Sequence, residues 1–125
     1  MDRFLREYKG HTFDDWGSSC SDDYKSFARK FKGYLKRNLP NDVELIDFSA
    51  NHYDHSGFVK RENVYIYISW SWDRYSPVDI DVTGAHRGVL VRYAKDRRDF
   101  RGEINRFCSL KELPEFVNEM FERRN

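Results

Sequence analysis

Only two cysteines occur in this chain, Cys20 and Cys108, and they stand far apart. With no apolar leader ahead of them, they are expected as free thiols rather than as a bridge. Residues 1–7 are charged throughout and lack the apolar centre of a signal peptide. No apolar run approaches the length needed to cross a bilayer, so no membrane partner is expected and the location is read as cytoplasmic. The three prolines are widely spaced, and no Gly/Ser run marks a linker. The seven glycines are scattered, which excludes a phosphate-cradling glycine-rich loop. Net charge is also missing: +1 argues against a chain that lives on bulk electrostatic attraction to nucleic acid, and equally against an acidic DNA mimic.

What the sequence does have is aromatic residues, 17% of the 125. That length suits one domain with a self-sufficient core, much of it built from Phe, Tyr and Trp. Residues 1–18 show no sustained period and are expected as an arm or short helix at one end of the core. Residues 22–38 read as a helix, with Tyr24, Phe27, Ala28, Phe31, Tyr34 and Leu35 on one face. Ser19 or Ser21 can cap its start, Asp22 and Asp23 suit the positive end of the dipole, and Pro40 stops it. Gly33, inside the helix, suggests a close approach to a neighbouring element.

Strands are expected at 43–50, 57–61 and 63–72, joined by short polar turns into an antiparallel meander. The apolar phase slips between Leu45 and Ile46, which suggests a bulge. In the third strand Val64, Ile66, Ile68, Trp70 and Trp72 alternate with Tyr65, Tyr67, Ser69 and Ser71. Residues 78–82 alternate as well, and 73–87 contains either a short edge strand or only a long loop. Residues 88–94 and 104–108 complete the sheet. Ser109 and Glu112 have capping-box spacing ahead of a last helix carrying Leu113, Phe116, Val117, Met120 and Phe121, with Pro114 in its first turn. The fold class is therefore α+β: an antiparallel sheet of four to five strands, with an N-terminal and a C-terminal helix packed on one face.

Three sets of residues could carry chemistry. His52, Asp54 and His55 form the most metal-like cluster, but no further ligand completes a known spacing, and a solvated hairpin turn explains them better. Asp79 and Asp81 would share a face of an edge strand, as paired nuclease carboxylates do, with Lys95 as the orienting base. Cys20 and Cys108 lack a nucleophile context, and Cys108 reads as packing. No cofactor is expected.

Two sets could carry binding. Lys25, Arg29, Lys32 and Lys36 make one stripe opposite the aromatic face of the first helix, and residues 24–37 contain no acid. Such a stripe can track a phosphate backbone or be an ordinary solvated face. Tyr65 and Tyr67 lie on the second face of the central strand. That face is either open for stacking or partner binding, or covered by the N-terminal arm with Phe13 and Trp16 as a lid.

The segments Gly57-Phe58-Val59-Lys60, Val89-Leu90-Val91-Arg92-Tyr93-Ala94-Lys95 and Asp99-Phe100-Arg101-Gly102, followed by Asn105, Phe107 and Ser109-Leu110, carry a resemblance. Over roughly residues 40–122 the chain resembles small uncharacterised proteins of Gram-positive conjugative and other mobile elements. The segment around Asp79 and Asp81 departs from that pattern. The group has no established catalytic residues to carry over. The resemblance implies a non-enzymatic binding protein, an inhibitor of a host defence nuclease in the manner of anti-CRISPR proteins, acting on a protein or ribonucleoprotein partner. A nucleic-acid-binding module using the basic stripe and the tyrosines is the alternative. A metal-dependent nuclease comes third.

Overall fold

The six aromatic and aliphatic positions at helical spacing wind Asp22–Asn38 into a helix and bury its inner face completely. The Ser21 hydroxyl accepts the Tyr24 backbone N–H at 3.1 Å, and the Leu39 N–H closes the other end on the Leu35 carbonyl. In this computed structural model, residues 1–13, 21–51, 54–72, 76–84 and 87–124 are described. The first stretch supplies a shorter helix, α1 (Arg3–Tyr8), which precedes α2 (Asp22–Asn38).

Asp2 determines where α1 begins and how it docks. Its carboxylate accepts the Phe4 N–H at 2.8 Å as an N-cap, and also accepts from Arg37 at 2.8 and 3.2 Å and Asn38 at 2.9 Å. The Arg37 guanidinium holds this carboxyl well below the usual range. Docked in this way, α1 buries Phe4, Leu5 and Tyr8, with the Phe4 ring stacked on Tyr34 at 4.9 Å. Burying each such side chain contributes about 2–3 kcal/mol. Among the described residues no neighbouring element comes into contact range of Gly33, contrary to expectation. An added Cβ would meet only Arg37 Nη1, at 3.0 Å, from its own helix.

Five strands follow as an antiparallel meander in the order β1 (Glu44–Ala50), β2 (His55–Arg61), β3 (Val64–Trp70), β4 (Val89–Ala94) and β5 (Arg106–Cys108). Register alignment sets Val59, Ile66 and Tyr93 in one row and Gly57, Ile68 and Val91 in the next, all facing the helices. The bulge lies between Ile46 and Ser49, with Asp47 in the left-handed region at φ 55°. Gly57 permits it: a Cβ there would stand 2.5 Å from the Phe48 ring, which swings to the helix side.

The last helix, α3 (Leu113–Arg124), starts behind the expected capping box. Ser109 Oγ accepts the Glu112 N–H at 3.1 Å and donates to the Glu112 carboxylate at 2.7 Å. Two buried phenols tie the helix layer together: Tyr34 donates to the Leu110 carbonyl at 2.6 Å and Tyr93 to the Met120 carbonyl at 2.5 Å. Residues 76–84 form no strand. Val78 and Ile80 are buried, Val78 exchanges backbone hydrogen bonds with Gly10 and His11, and Ile80 accepts from Lys111. The alternation at 78–82 belongs to a loop pressing every second side chain onto the core.

Candidate binding surface

Because side chains alternate across a strand, packing Ile66 and Ile68 under the helices sends Tyr65 and Tyr67 to the opposite face. Among the described residues no helix covers that side. Phe58, Tyr67 and Arg92 stand abreast there on three adjacent strands. The Phe58 and Tyr67 centroids lie 5.3 Å apart, and the Arg92 guanidinium sits 4.5 Å above the Tyr67 ring.

The β4–β5 connection folds back over this row as a strap. Phe100 lays its ring 5.7 Å from Phe58 and 6.3 Å from Tyr67, and Arg92 donates to its carbonyl. Arg97 reaches across to the β1 bulge and grips the Asp47 carboxylate with bonds of 2.6 and 2.9 Å. The Asp99 carboxylate pins the turn by accepting the backbone N–H groups of Gly102 at 2.7 Å, Lys95 at 2.8 Å and Arg101 at 3.2 Å, which holds its pKa below the ordinary value. Gly102, at φ 58°, passes so close to the Tyr93 carbonyl that a Cβ would lie 2.7 Å from it.

The strap thus covers part of this face. Phe13 packs on Phe27 and Trp70 within the helix-side core; Trp16 lies outside the described residues. Tyr67 is half-buried under the strap, and Tyr65 is half-buried with the Lys60 ammonium 5.2 Å from its ring centre. Between bulge and strap lies a cleft of about 300 Å³, bounded by Asp47, Asn51, Phe58, Tyr67, Arg97 and Phe100. Phe100 and Ile104, on the strap, are 65% and 74% exposed. Sequence reasoning singled out neither as exposed: Phe100 stands in a charged turn with no period to bury it, and the strand expected at 104–108 begins only at Arg106, which leaves Ile104 outside it.

On α2, Lys25, Arg29 and Lys36 are exposed and Lys32 is half-buried. The stripe and the tyrosines do not form one surface. Helix α2 packs on the face bearing Ile66 and Ile68, so the sheet separates the two sets.

The candidate chemical clusters disperse. His52 lies outside the described residues. Asp54 accepts from Asn51 and Ser69, while His55 is fully buried on the helix side with its ring 5.1 Å from Phe31. Neither His55 nitrogen has a hydrogen-bond partner among the described residues. Burial, reinforced by the Lys32 charge, pushes its pKa down to about 4. Asp79 and Asp81 are exposed: Asp79 accepts the Asp81 N–H, and Asp81 faces Lys111 at 3.8 Å. Lys95 follows the far end of β4, about 20 Å along the strand from this loop. Cys108 is buried, with its thiol pushed up to about 12 by that burial; Cys20 lies outside the described residues. Among the described residues no three His, Cys, Asp or Glu side chains are grouped to hold a metal, and no helix is long and apolar enough to cross a membrane.

Comparison with family models, curated proteins and solved structures gave no match.

Proposed function

We propose that this chain is a non-enzymatic binding protein that occludes a surface of a protein or ribonucleoprotein partner through the helix-free face of its sheet. The observation that carries this reading is the strap. Phe100 stands exposed above a row of Phe58, Tyr67 and Arg92, on a segment fastened at several points that also carries the exposed Ile104. Aromatic and arginine side chains held rigidly are the residue types that anchor protein interfaces, because little conformational entropy is lost when they are buried.

The mobile-element resemblance supports a host defence nuclease as the partner and inhibition as the outcome. Cleavage of target DNA by a purified guide-loaded nuclease, with and without the protein in excess, tests this. Inhibition is expected, with a loss of roughly tenfold or more in potency for Phe100→Ala/Ile104→Ala at unchanged thermal stability. A double variant that inhibits like the parent removes the strap from the mechanism. A protein that binds and inhibits no such nuclease removes the inhibitor reading.

A further inference from the structure

The two flanks of α2 are treated differently by the rest of the fold. At 100° per residue, Lys30 and Arg37 fall on one flank of the buried face, and Lys25, Arg29, Lys32 and Lys36 fall on the other, within roughly 60° of arc. Helix α1 lies along the first flank and neutralises it: Glu7 meets Lys30 at 2.5 Å and Asp2 meets Arg37 at 2.8 Å. The second flank has no ion pair among the described residues, although Asp22 stands exposed at its N-terminal end. A near-neutral chain therefore keeps four cations together in a straight row about 16 Å long.

From this row we infer a second binding surface, independent of the strap: the α2 flank holds the phosphate backbone of duplex nucleic acid. Charge complementarity selects the ligand, since a row of that length covers about five base-pair steps of duplex axis, each step of 3.4 Å carrying a phosphate on either strand. Two further observations narrow it. Tyr24 and Tyr34 are buried, so the outer face of α2 offers no ring on which an unpaired base could stack, and single-strand recognition loses its usual platform. The apolar face of α2 is committed to the core, so the helix cannot lay that face into a bilayer as an interfacial amphipathic helix does. The contacts are to backbone charge alone, and binding is sequence-independent.

Fluorescence anisotropy with a labelled 16-base-pair DNA duplex tests the inference, using a single strand of equal length and phosphatidylserine vesicles as the other probes. With three to four phosphates neutralised, affinity for the duplex is expected to fall roughly 40- to 150-fold between 50 and 200 mM salt. Replacing Lys25, Arg29, Lys32 and Lys36 by Gln is expected to abolish measurable binding. Replacing the exposed Arg6, Lys9, Arg98 and Arg123 by Gln makes the same change in net charge and is expected to leave most of it. Circular dichroism melts confirm that both sets fold. The inference is overturned if the stripe variant binds like the parent, if both sets lose binding equally, or if the single strand or the vesicles bind as tightly as the duplex. None of these outcomes depends on Phe100 or Ile104, so the strap reading and this one fail separately.

Discussion

Arg97, on the strap, and Asp47, in the β1 bulge, are fifty residues apart in sequence and share a two-bond ion pair of 2.6 and 2.9 Å across the helix-free face. The bulge makes the pair possible, because its left-handed residue turns the carboxylate out of the strand toward the strap. Both partners are exposed, so the bond positions the strap and adds little to global stability. Arg97→Ala is expected to leave the melting temperature nearly unchanged while hydrogen exchange quickens at the amides of residues 96–103. Unchanged exchange there would show that Asp99 and Phe100 hold the strap alone.

His55 makes stability depend on pH. Its pKa in the folded protein is about 4, against 6.5 ordinarily, so the unfolded chain takes up the proton first. The contribution is therefore complete above pH 6.5 and is lost as pH falls toward 4. The full loss is about 3 kcal/mol. Urea unfolding at pH 7.5 and 4.5 measures it. His55→Phe keeps a ring against Phe31 and is expected to lose most of that difference; a variant with the same difference as the parent would falsify the assignment to His55.

Asp2 both caps α1 and clamps it to α2. Asp2→Ala is expected to cost about 1–2 kcal/mol, and Asp2→Asn, which can still cap, less. The carboxyl is held below its usual 3.8, so its charge contributes above that pH and is lost as pH falls through its lowered folded value. The gap between parent and Asp2→Asn should accordingly narrow in acid. A gap that stays constant from neutral pH down to strongly acidic pH would place the effect in the cap rather than in the charge.

Cys108 should be chemically silent while the protein is folded. Burial raises its thiol to about 12 and removes it from solvent. In a Cys20→Ser background, Ellman's reagent is expected to find no reactive thiol in native buffer and one in urea. Rapid native labelling would mean that β5 and the α3 start open readily.

Much of the scaffold was legible before any coordinates. The α2 boundaries follow from Ser19 or Ser21, the two N-terminal acids and Pro40, with the structure choosing Ser21, and the α3 start follows from Ser109 and Glu112. These signals act over three or four residues, which is the reach of a helical hydrogen bond. The β3 alternation likewise named its buried row. The β1 phase slip was visible too, although the bulge sits at Asp47, just beyond it, because Gly57 on the neighbouring strand is what makes room for Phe48. Local pattern left edge strand and loop open at 73–87, and the tertiary fold decided it: Val78 and Ile80 alternate like a strand yet line a loop held by Gly10, His11 and Lys111.

The candidate surfaces divide along the same boundary. That Tyr65 and Tyr67 oppose Ile66 and Ile68, and that four cations share one helix stripe, follows from the periods of strand and helix, so the sequence alone determined it. That the strap packs over Tyr67, and that Phe13 packs on the helix side, was decided by tertiary structure. The same holds for the exposure of Phe100 and Ile104, for the pairing of Lys30 and Arg37 with α1, and for the separation of stripe from tyrosines by a sheet. Each of these depends on which distant segments meet, and that is settled by the packing of one core rather than by any local period.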